Sequence, residues 1–375
     1  MSGGYYKQLT DKVDYRILTL LPPAVAVLLL LPVLINGLEY GVDFKGGMWM
    51  DVLTPTELDA GKLKALEADL QAAGLKDVKA TVGFDIDTHQ NKLVVQTTTV
   101  VQDKKPVTRA ISKYAGTLTE YDTAVIPYSG KLPLDFTQNL EKRLKQGIDV
   151  NQTDGKLILS GLDFNKDDLQ SAVSYYLREE VKVDLAKKNF NIRSVGPTLG
   201  KSFREQGFKA IVLALIFMGF VVFVAFRDII PTVAVIQAAI NDVLFAVGGM
   251  YLLGIPMEPA SLAALLMLIG YSVDTDVLLT ARVLKNRSED FYVLVDDAMK
   301  TGITMTLTTI TVMTIVYVVS TTLTQITTLA NISAVLWMGL FADIFTTWIT
   351  NVGVLKWYLD NPRHKDMWKV WRWRR

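Results

Sequence analysis

Four aspartates lie in stretches of the sequence that are otherwise apolar enough to cross a membrane. These residues are Asp242, Asp274, Asp276 and Asp343. One aspartate at the centre of a membrane helix costs roughly 2.5 to 3.5 kcal/mol on insertion scales, and the same stretches contain no Lys or Arg. Such carboxyl groups must hold protons or be hydrated. Groups that change protonation at membrane depth predict a proton relay or coupling to another ion.

Asp274 and Asp276 belong to one predicted helix but point in different directions. Two positions along a helix correspond to about 200° of rotation, so the two residues cannot form one acid–base couple. We expect Asp274 to face the interior of the helix bundle together with Asp242 and Asp343, and to be the functional acid. Asp276 is expected to lie nearer the cytoplasmic surface, where it is hydrated or reaches a basic side chain. The basic residues near it in sequence are Arg282 and Lys300.

The fifth apolar stretch contains no acid but carries a row of hydroxyl groups. Its threonines are Thr301, Thr304, Thr308 and Thr311. They are spaced by three, four and three residues, so they share one face of a helix. Gln237 and Asn241 add polar groups to the third stretch. We expect the threonine face to line the same interior as the aspartates.

Other interpretations of these residues remain open from the sequence. Acids and hydroxyls can simply hydrogen-bond neighbouring helices together. Acids on adjacent helices also suit an intramembrane aspartyl protease. That class, however, expects Gly-x-Gly-Asp, whereas Asp274 follows Tyr-Ser-Val. With no Cys and with His89 and His364 far apart, we predict no metal site, no cofactor and no enzymatic activity.

Six apolar stretches are long enough to span a hydrocarbon core of about 30 Å. They cover residues 17–35, 208–226, 229–253, 259–280, 303–323 and 330–354. The first is too long for a signal peptide and lacks a small-residue cleavage site, so we interpret it as a retained helix. The predicted regions are an N-terminal tail (1–16), the first transmembrane helix (17–35), an α+β domain (36–207), five transmembrane helices (208–355) and a C-terminal tail (356–375).

The basic residues predict how these helices are oriented. Arg227 and Arg282 lie in loops on one side of the membrane, and seven Lys or Arg residues follow the last span. The short loops on the opposite side, 254–258 and 324–328, contain none. The positive-inside rule therefore predicts a multi-pass protein of the cell membrane with both termini in the cytoplasm and region 36–207 outside.

Region 36–207 alternates between strand and helix patterns. Strands are predicted at 48–53, 79–86, 92–100, 156–161 and 189–196, and helices at 55–74, 135–147 and 165–188. The first of these helices is expected to start at a threonine cap. A β-α-β-β string followed by α-β-α-β predicts an α+β domain of ferredoxin-like type with an additional part.

Three further segments have ordinary explanations. GPTLGKS (196–202) has three residues where a phosphate-binding loop needs four, so we expect a turn into the second span. GVDFKGG (41–47) is expected to be a tight exit from the first span that needs its glycines. DMWKVWRWRR (366–375) interleaves Trp with cations and predicts binding to anionic lipid headgroups. The net charge of +1 argues against nucleic acid as a partner.

Three motifs together resemble those of the SecF family of protein-export subunits, in its archaeal branch. DFKGG (43–47) resembles the family's D-F-x-G-G signature, and SVGPTLG (194–200) resembles its S-V-G-P-x-x-G. GYSVDTD (270–276) resembles the archaeal form of the motif in the fourth span. The residues concerned are Asp43, Phe44, Gly46, Gly47, Ser194, Val195, Gly196, Pro197, Gly200, Gly270, Tyr271 and Ser272. Segment 100–150 matches no part of the family that we can identify.

The resemblance implies a polytopic subunit with a fold of the resistance-nodulation-division type, working with SecD beside the SecY channel. It also implies that the outer domain engages unfolded exported polypeptides and that movement draws on the proton motive force. Asp274 matches the span-four acid of SecD, whereas the acid of bacterial SecF falls where this chain has Thr275. Bacterial relatives have an Arg at the head of span five, where this chain has Thr301 beside Lys300.

Two alternatives to this implied role follow from the same features. One is a structural scaffold of the translocation channel, in which the acids only join helices. The other is a small-molecule exporter of the same fold. Such exporters usually carry twelve spans in one chain, and six spans fit better with a subunit that completes its bundle with a partner.

Overall fold

The computed structural model describes residues 14–55, 57–85, 88–101, 103–153, 155–285, 290–324 and 326–361. The chain forms two compact units. Gly47–Ser194 makes an α+β unit, and the segments before and after it make a helical unit.

The helical unit begins with α1 (Tyr15–Asn36). Asp14 caps this helix, its carboxylate accepting the Arg16 backbone N–H at 3.0 Å. After the short α2 (Val42–Lys45), Gly46 and Gly47 have φ angles of 81° and 152°. L side chains rarely adopt such angles, so this is the tight, glycine-dependent exit that the sequence predicts.

A four-stranded sheet forms the first half of the α+β unit. Its strands are β1 (Gly47–Thr54), β2 (Lys79–Asp85), β3 (Gln90–Thr97) and β8 (Phe190–Val195), in the order β2-β3-β1-β8. Met50 and Val52 alternate with half-buried residues along β1 and share a core with Leu66 of α3 (Ala60–Ala72) and Ile111 of α4 (Lys105–Ala115). One face of the sheet is therefore covered by two helices.

The second half of the α+β unit has the same kind of arrangement and is inserted between α4 and β8. It comprises β4 (Asp122–Pro127), α5 (Phe136–Leu144), β5 (Ile148–Thr153), β6 (Lys156–Gly161), α6 (Lys166–Leu177) and β7 (Asp184–Ala186). Its sheet order is β5-β6-β4-β7, and its helices pack on the sheet through a separate core that includes Leu140, Leu159 and Leu169. Both halves of the α+β unit have the element order β-α-β-β-α-β, and the second half accounts for the additional part in the sequence pattern.

Two predicted helices of the α+β unit have different ends in the structure. α3 begins after Asp59, whose carboxylate accepts the Lys62 N–H at 2.7 Å, so its cap is an aspartate and the predicted threonine cap is wrong. The helix predicted for 165–188 ends at Leu177. It stops there because Val181 and Val183 must enter the second core, which a continuous helix would prevent.

The chain then returns to the helical unit. Its helices are α7 (Pro197–Phe226), α8 (Ile229–Leu253), α9 (Pro259–Lys285), α10 (Phe291–Thr322), α11 (Thr327–Phe345) and α12 (Val352–Asp360), with a π-helical segment (Thr346–Asn351) joining the last two. Within the described residues, six helices are long and apolar enough to cross a membrane, as predicted. The turn predicted at 196–202 is wrong, because Gly196 caps α7 and Pro197 occupies its first position.

Candidate functional site

Three of the four predicted aspartates meet inside the helical unit. Asp242 lies on α8, Asp276 on α9 and Asp343 on α11, and each is 0% exposed. α8, α9 and α11 supply most of the buried residues of the helical unit. The acids therefore lie in its centre.

The apolar pattern of α9 explains why Asp276 is buried. Leu265, Leu268, Leu279 and Val283 are buried on one face of this helix. Spacings of three and four residues keep that face towards the core, and Asp276 falls on it. The same face brings Ser272 and Thr275 inward.

Ser272 and Thr275 connect the acids of the neighbouring helices. The Ser272 hydroxyl donates to Asp242 Oδ2 at 2.6 Å. The Thr275 hydroxyl lies 2.8 Å from the Ser272 carbonyl oxygen and 3.0 Å from Asp343 Oδ2. Through these contacts α9 holds both α8 and α11.

The π-helical segment supplies the remaining polar groups. Thr347 Oγ1 lies 2.9 Å from Asp276 Oδ1 and 2.9 Å from Asp343 Oδ1. Asn351 Nδ2 donates to Asp276 Oδ1 at 2.7 Å. A π segment adds residues to a helical turn, and such segments frequently occur at functional sites. Here it aims one hydroxyl and one amide at a carboxylate of the adjacent helix.

The cluster lacks positive charge and is incompletely hydrogen-bonded. Across the described ranges, none of the three acids forms a salt bridge. Among the described residues, no hydrogen-bond partner reaches the buried atoms Asp242 Oδ1, Asp276 Oδ2 and Asn351 Oδ1. Uncompensated carboxylates are costly to bury, so this arrangement favours neutral acids.

Counting hydrogens around Thr347 leads to the same conclusion. Its hydroxyl carries one hydrogen but faces carboxyl oxygens of Asp276 and Asp343 at equal distances. If both acids were ionised, one of the contacts would set two oxygen lone pairs against each other. A proton on either acid turns that contact into a hydrogen bond to the threonine oxygen. The geometry therefore suits one proton shared across Thr347.

The prediction that Asp274 faces this interior is wrong, as is the prediction for Asp276. Asp274 is exposed on the surface of the chain, and Asp276 occupies the interior position. The two do face opposite ways, as the helix geometry requires. Asp276 does not reach Arg282, which pairs instead with Asp297.

The threonine row of α10 also faces outward rather than towards the acids. Thr301, Thr304 and Thr308 are exposed, as is Thr311. Each hydroxyl donates to the carbonyl four residues earlier, for example Thr304 to Lys300 at 2.7 Å. The four threonines do share one face of the helix. That face points away from the bundle, however, so the expectation that it lines the interior is wrong.

The motifs after α1 and before α7 meet each other. Phe44 is buried in α2, whose first turn contains Asp43. A Cβ on Gly200 would lie 2.9 Å from the Gly46 amide nitrogen, and one on Gly46 would lie 2.6 Å from Pro197 Cα. The glycines therefore permit direct contact between backbones.

The remaining motif residues are spread over several elements. Gly47 opens β1, Ser194 and Val195 close β8, and Gly196 caps α7. In the fourth-span motif Ser272, Thr275 and Asp276 join the acid cluster, whereas Gly270 and Tyr271 are exposed. The predicted lipid-binding segment 366–375 lies outside the described residues.

Sequence reasoning did not identify Thr347 and Asn351. They follow Asp343 at intervals of four residues, which is a signal that the sequence contains. Their bonds to Asp276 are not readable from it, because these bonds depend on packing between α9 and the π-helical segment.

The chain resembles known proteins over both units. The family model described as "Protein export membrane protein SecD/SecF, C-terminal" matches residues 176–361. The protein-export membrane protein SecF of Methanocaldococcus jannaschii is 44% identical over 204 residues, covering 54% of this chain and 72% of the relative. SecF of Methanothermobacter thermautotrophicus is 48% identical over 169 residues, covering 45% and 59%.

Solved structures share the fold, and one of them aligns over most of this chain. The crystal structure of SecDF, a translocon-associated membrane protein from Thermus thermophilus, aligns with a TM-score of 0.55 at 14% identity. The alignment covers 92% of this chain and 59% of that one. This likeness establishes the polytopic helical architecture.

Proposed function

This chain belongs to the SecD/SecF family of protein-export membrane proteins, and on that basis we propose that it promotes translocation of unfolded polypeptides across the cell membrane as a SecF subunit, together with SecD and the SecY channel. On this proposal, the translocation of the polypeptide is coupled to the proton gradient. The observation that carries this proposal is the group of three buried carboxyls joined by hydroxyls without a basic partner.

Protonation of the cluster supplies the coupling. With a proton shared across Thr347, Asp276 and Asp343 are held together by hydrogen bonds. Loss of that proton leaves two negative charges beside one hydroxyl in a region that excludes water, which favours separation of α9 and α11 or entry of water. Protonation thus biases the helices between two arrangements.

The outward face that contains Asp274 and the α10 threonines contacts SecD. An exposed acid in the middle of a membrane helix needs a polar or charged neighbour, and Asp274 forms no salt bridge within the described part of this chain. The alignment with SecDF covers 59% of that chain, so the rest of SecDF is long enough to hold a second set of helices. On this proposal Asp274 takes part in coupling across the subunit boundary.

The α+β unit works on the outer side of the membrane. The positive-inside rule puts both termini in the cytoplasm, so the ferredoxin-like domain between α1 and α7 lies outside. Sheet edges and open sheet faces suit transient contact with extended polypeptides.

Export kinetics of a secreted reporter test the proposal. We would compare Asp276→Asn, Asp343→Asn and Asp274→Asn in cells with no other copy, checking membrane level and SecD co-purification. Proton coupling predicts slow export by Asp276→Asn and Asp343→Asn with the complex intact, because Asn cannot exchange the proton. Thr232→Val is the matched control, because Thr232 is also buried and, within the described residues, its hydroxyl bonds only the Asp228 carbonyl oxygen at the start of its own helix. Normal export by both acid variants would overturn proton coupling and favour a scaffold role.

A further inference from the structure

A cavity lies at the end of the helical unit where α1 begins and α12 ends. It has a volume of about 460 Å³ and lies apart from the acid cluster. α1 contributes Arg16 and Leu20, and the last helix contributes Val354 and Trp357. The proposed export role makes no use of it.

Close packing of two helices builds the cavity floor. A Cβ on Gly353 would lie 1.9 Å from the Thr19 hydroxyl oxygen, so only glycine permits this approach. The Thr350 hydroxyl donates to the Thr19 carbonyl oxygen at 3.0 Å. The cavity is therefore held between α1 and the last helix rather than by a loop.

The end of the cavity at the start of α1 carries an arginine and aromatic side chains, and the nearby Lys356 pairs with Asp360 at 3.7 Å. Arg16 is exposed and, within the described residues, forms no salt bridge. Its guanidinium lies 5.9 Å from the centre of the Tyr15 ring, and the Lys356 ammonium lies 5.6 Å from the same ring. Trp357 is partly exposed beside them. Trp and Tyr at the end of a spanning helix are typical of the headgroup level of a bilayer.

The inner end of the cavity is apolar. Leu20 is 69% exposed, and Val354 lies opposite it on the last helix. Leu20 follows Arg16 by one helical turn, so the lining changes from cationic to apolar over about 6 Å along the membrane normal. This order matches a phospholipid whose phosphate lies at the surface of the bilayer and whose chains lie in its hydrocarbon core.

We propose that this cavity binds one anionic phospholipid of the surrounding leaflet. The Arg16 guanidinium takes the phosphate through paired N–H donors, a geometry that suits arginine better than lysine. Trp357 and Tyr15 contact the glycerol region, and an acyl or prenyl chain follows Leu20 and Val354. The bound lipid joins the first and last helices, so it stabilises the bundle at its termini.

Native mass spectrometry of the full chain, released from nanodiscs of phosphatidylglycerol in phosphatidylcholine, tests the proposal. Arg16→Gln should lower retention of phosphatidylglycerol about fivefold, as expected when one basic group near a membrane surface contributes about 1 kcal/mol. Arg227→Gln is the matched control, because Arg227 is also an exposed arginine at a helix end but lies outside the cavity. Arg16→Lys should retain an intermediate amount.

Three results would overturn the proposal. Equal retention in wild type and Arg16→Gln would show that the cavity holds no anionic lipid. Equal loss in Arg16→Gln and Arg227→Gln would show diffuse attraction to a charged surface. Release of the lipid by excess inorganic phosphate alone would show that the site recognises phosphate and not a lipid. Thermal unfolding of each variant in the same detergent confirms that the compared proteins are folded.

Discussion

The Thr347 hydroxyl lies 2.9 Å from Oδ1 of Asp343, four residues earlier in the same membrane helix. The Thr347 hydroxyl oxygen is equally close to Oδ1 of Asp276 on α9, so a hydroxyl with one hydrogen lies between two carboxyl groups. This relationship separates two roles of the cluster. As a bridge it stabilises the bundle, and as a proton acceptor and donor it lets a proton pass between acids on different helices.

Thr347→Val tests both roles, because valine keeps the shape and removes the hydroxyl. The variant loses the Thr347 contacts, but Asp276 keeps the Asn351 amide and Asp343 keeps the Thr275 hydroxyl as partners. We therefore expect the free energy of unfolding to fall by only about 1–3 kcal/mol. Export should fall about tenfold if the lost contact raises the coupling barrier by about 1.4 kcal/mol. Thermal unfolding and reporter export are the two measurements. Thr232→Val, a buried threonine whose hydroxyl bonds its own helix, should leave both unchanged, and equal effects of the two variants would contradict the relay.

Gly200→Ala should destabilise the junction between the motifs after α1 and before α7. The new methyl group would lie 2.9 Å from the Gly46 nitrogen and 2.9 Å from the Phe44 carbonyl oxygen, so backbone must move. We expect a loss of about 1–3 kcal/mol, as for other overpacked sites. Gly196→Ala is the control, because nothing lies within 4 Å of its added Cβ and its φ is −66°. A melting temperature for Gly200→Ala equal to that of the control would show that the close approach has no energetic role.

The membrane architecture was predictable because long apolar runs require only length and composition. The choice between Asp274 and Asp276 needed one further step. The buried positions Leu268, Ser272 and Leu279 repeat every three to four residues, and Asp276 lies on that face. We instead expected Asp274 to be the interior acid. Because both faces of this membrane helix are largely apolar in the sequence, periodicity does not decide between the two acids, and the packing of α9 does.

The remaining differences come from contacts that one sequence does not specify. Thr347 and Asn351 reach Asp276 through a π-helical segment, whose altered register no local pattern announces. The second β-α-β-β-α-β unit was missed in part because β7 is three residues long and β5 is mostly exposed. Short or polar strands give weak alternation, so only their pairing partners define them.

The membrane orientation can be measured directly because the chain contains no cysteine. Ser129→Cys lies in the exposed part of the α+β unit, and Arg227→Cys lies between α7 and α8. With both termini in the cytoplasm, a membrane-impermeant maleimide added to intact cells should label Ser129→Cys and leave Arg227→Cys unlabelled. After the membrane is permeabilised, both should be labelled. Labelling of Arg227→Cys in intact cells would reverse the proposed orientation.

The α+β unit should lose stability in acid through Asp122. This buried carboxylate accepts the Phe164 and Lys188 backbone N–H groups at 2.8 and 2.7 Å, and the Lys187 ammonium at 2.9 Å. Burial alone would raise the pKa of Asp122, but these donors outweigh it and hold the pKa below the ordinary value of 3.8. A depressed pKa in the folded state contributes stability above pH 3.8, and this contribution is lost as the pH falls through the folded value.

Asp122→Asn should therefore destabilise the second sheet by about 1–3 kcal/mol near neutral pH, since it removes a charged acceptor from three donors. Hydrogen exchange of β4 amides, expressed as protection relative to intrinsic rates, reports this locally. The difference from wild type should be present at pH 6 and shrink as the pH falls below 3.8 towards the lowered pKa of folded Asp122. Asp163→Asn is the control, because Asp163 bonds the same Lys187 ammonium but its side chain is 82% exposed. A difference that persists unchanged in acid would show that packing at this position matters more than its charge.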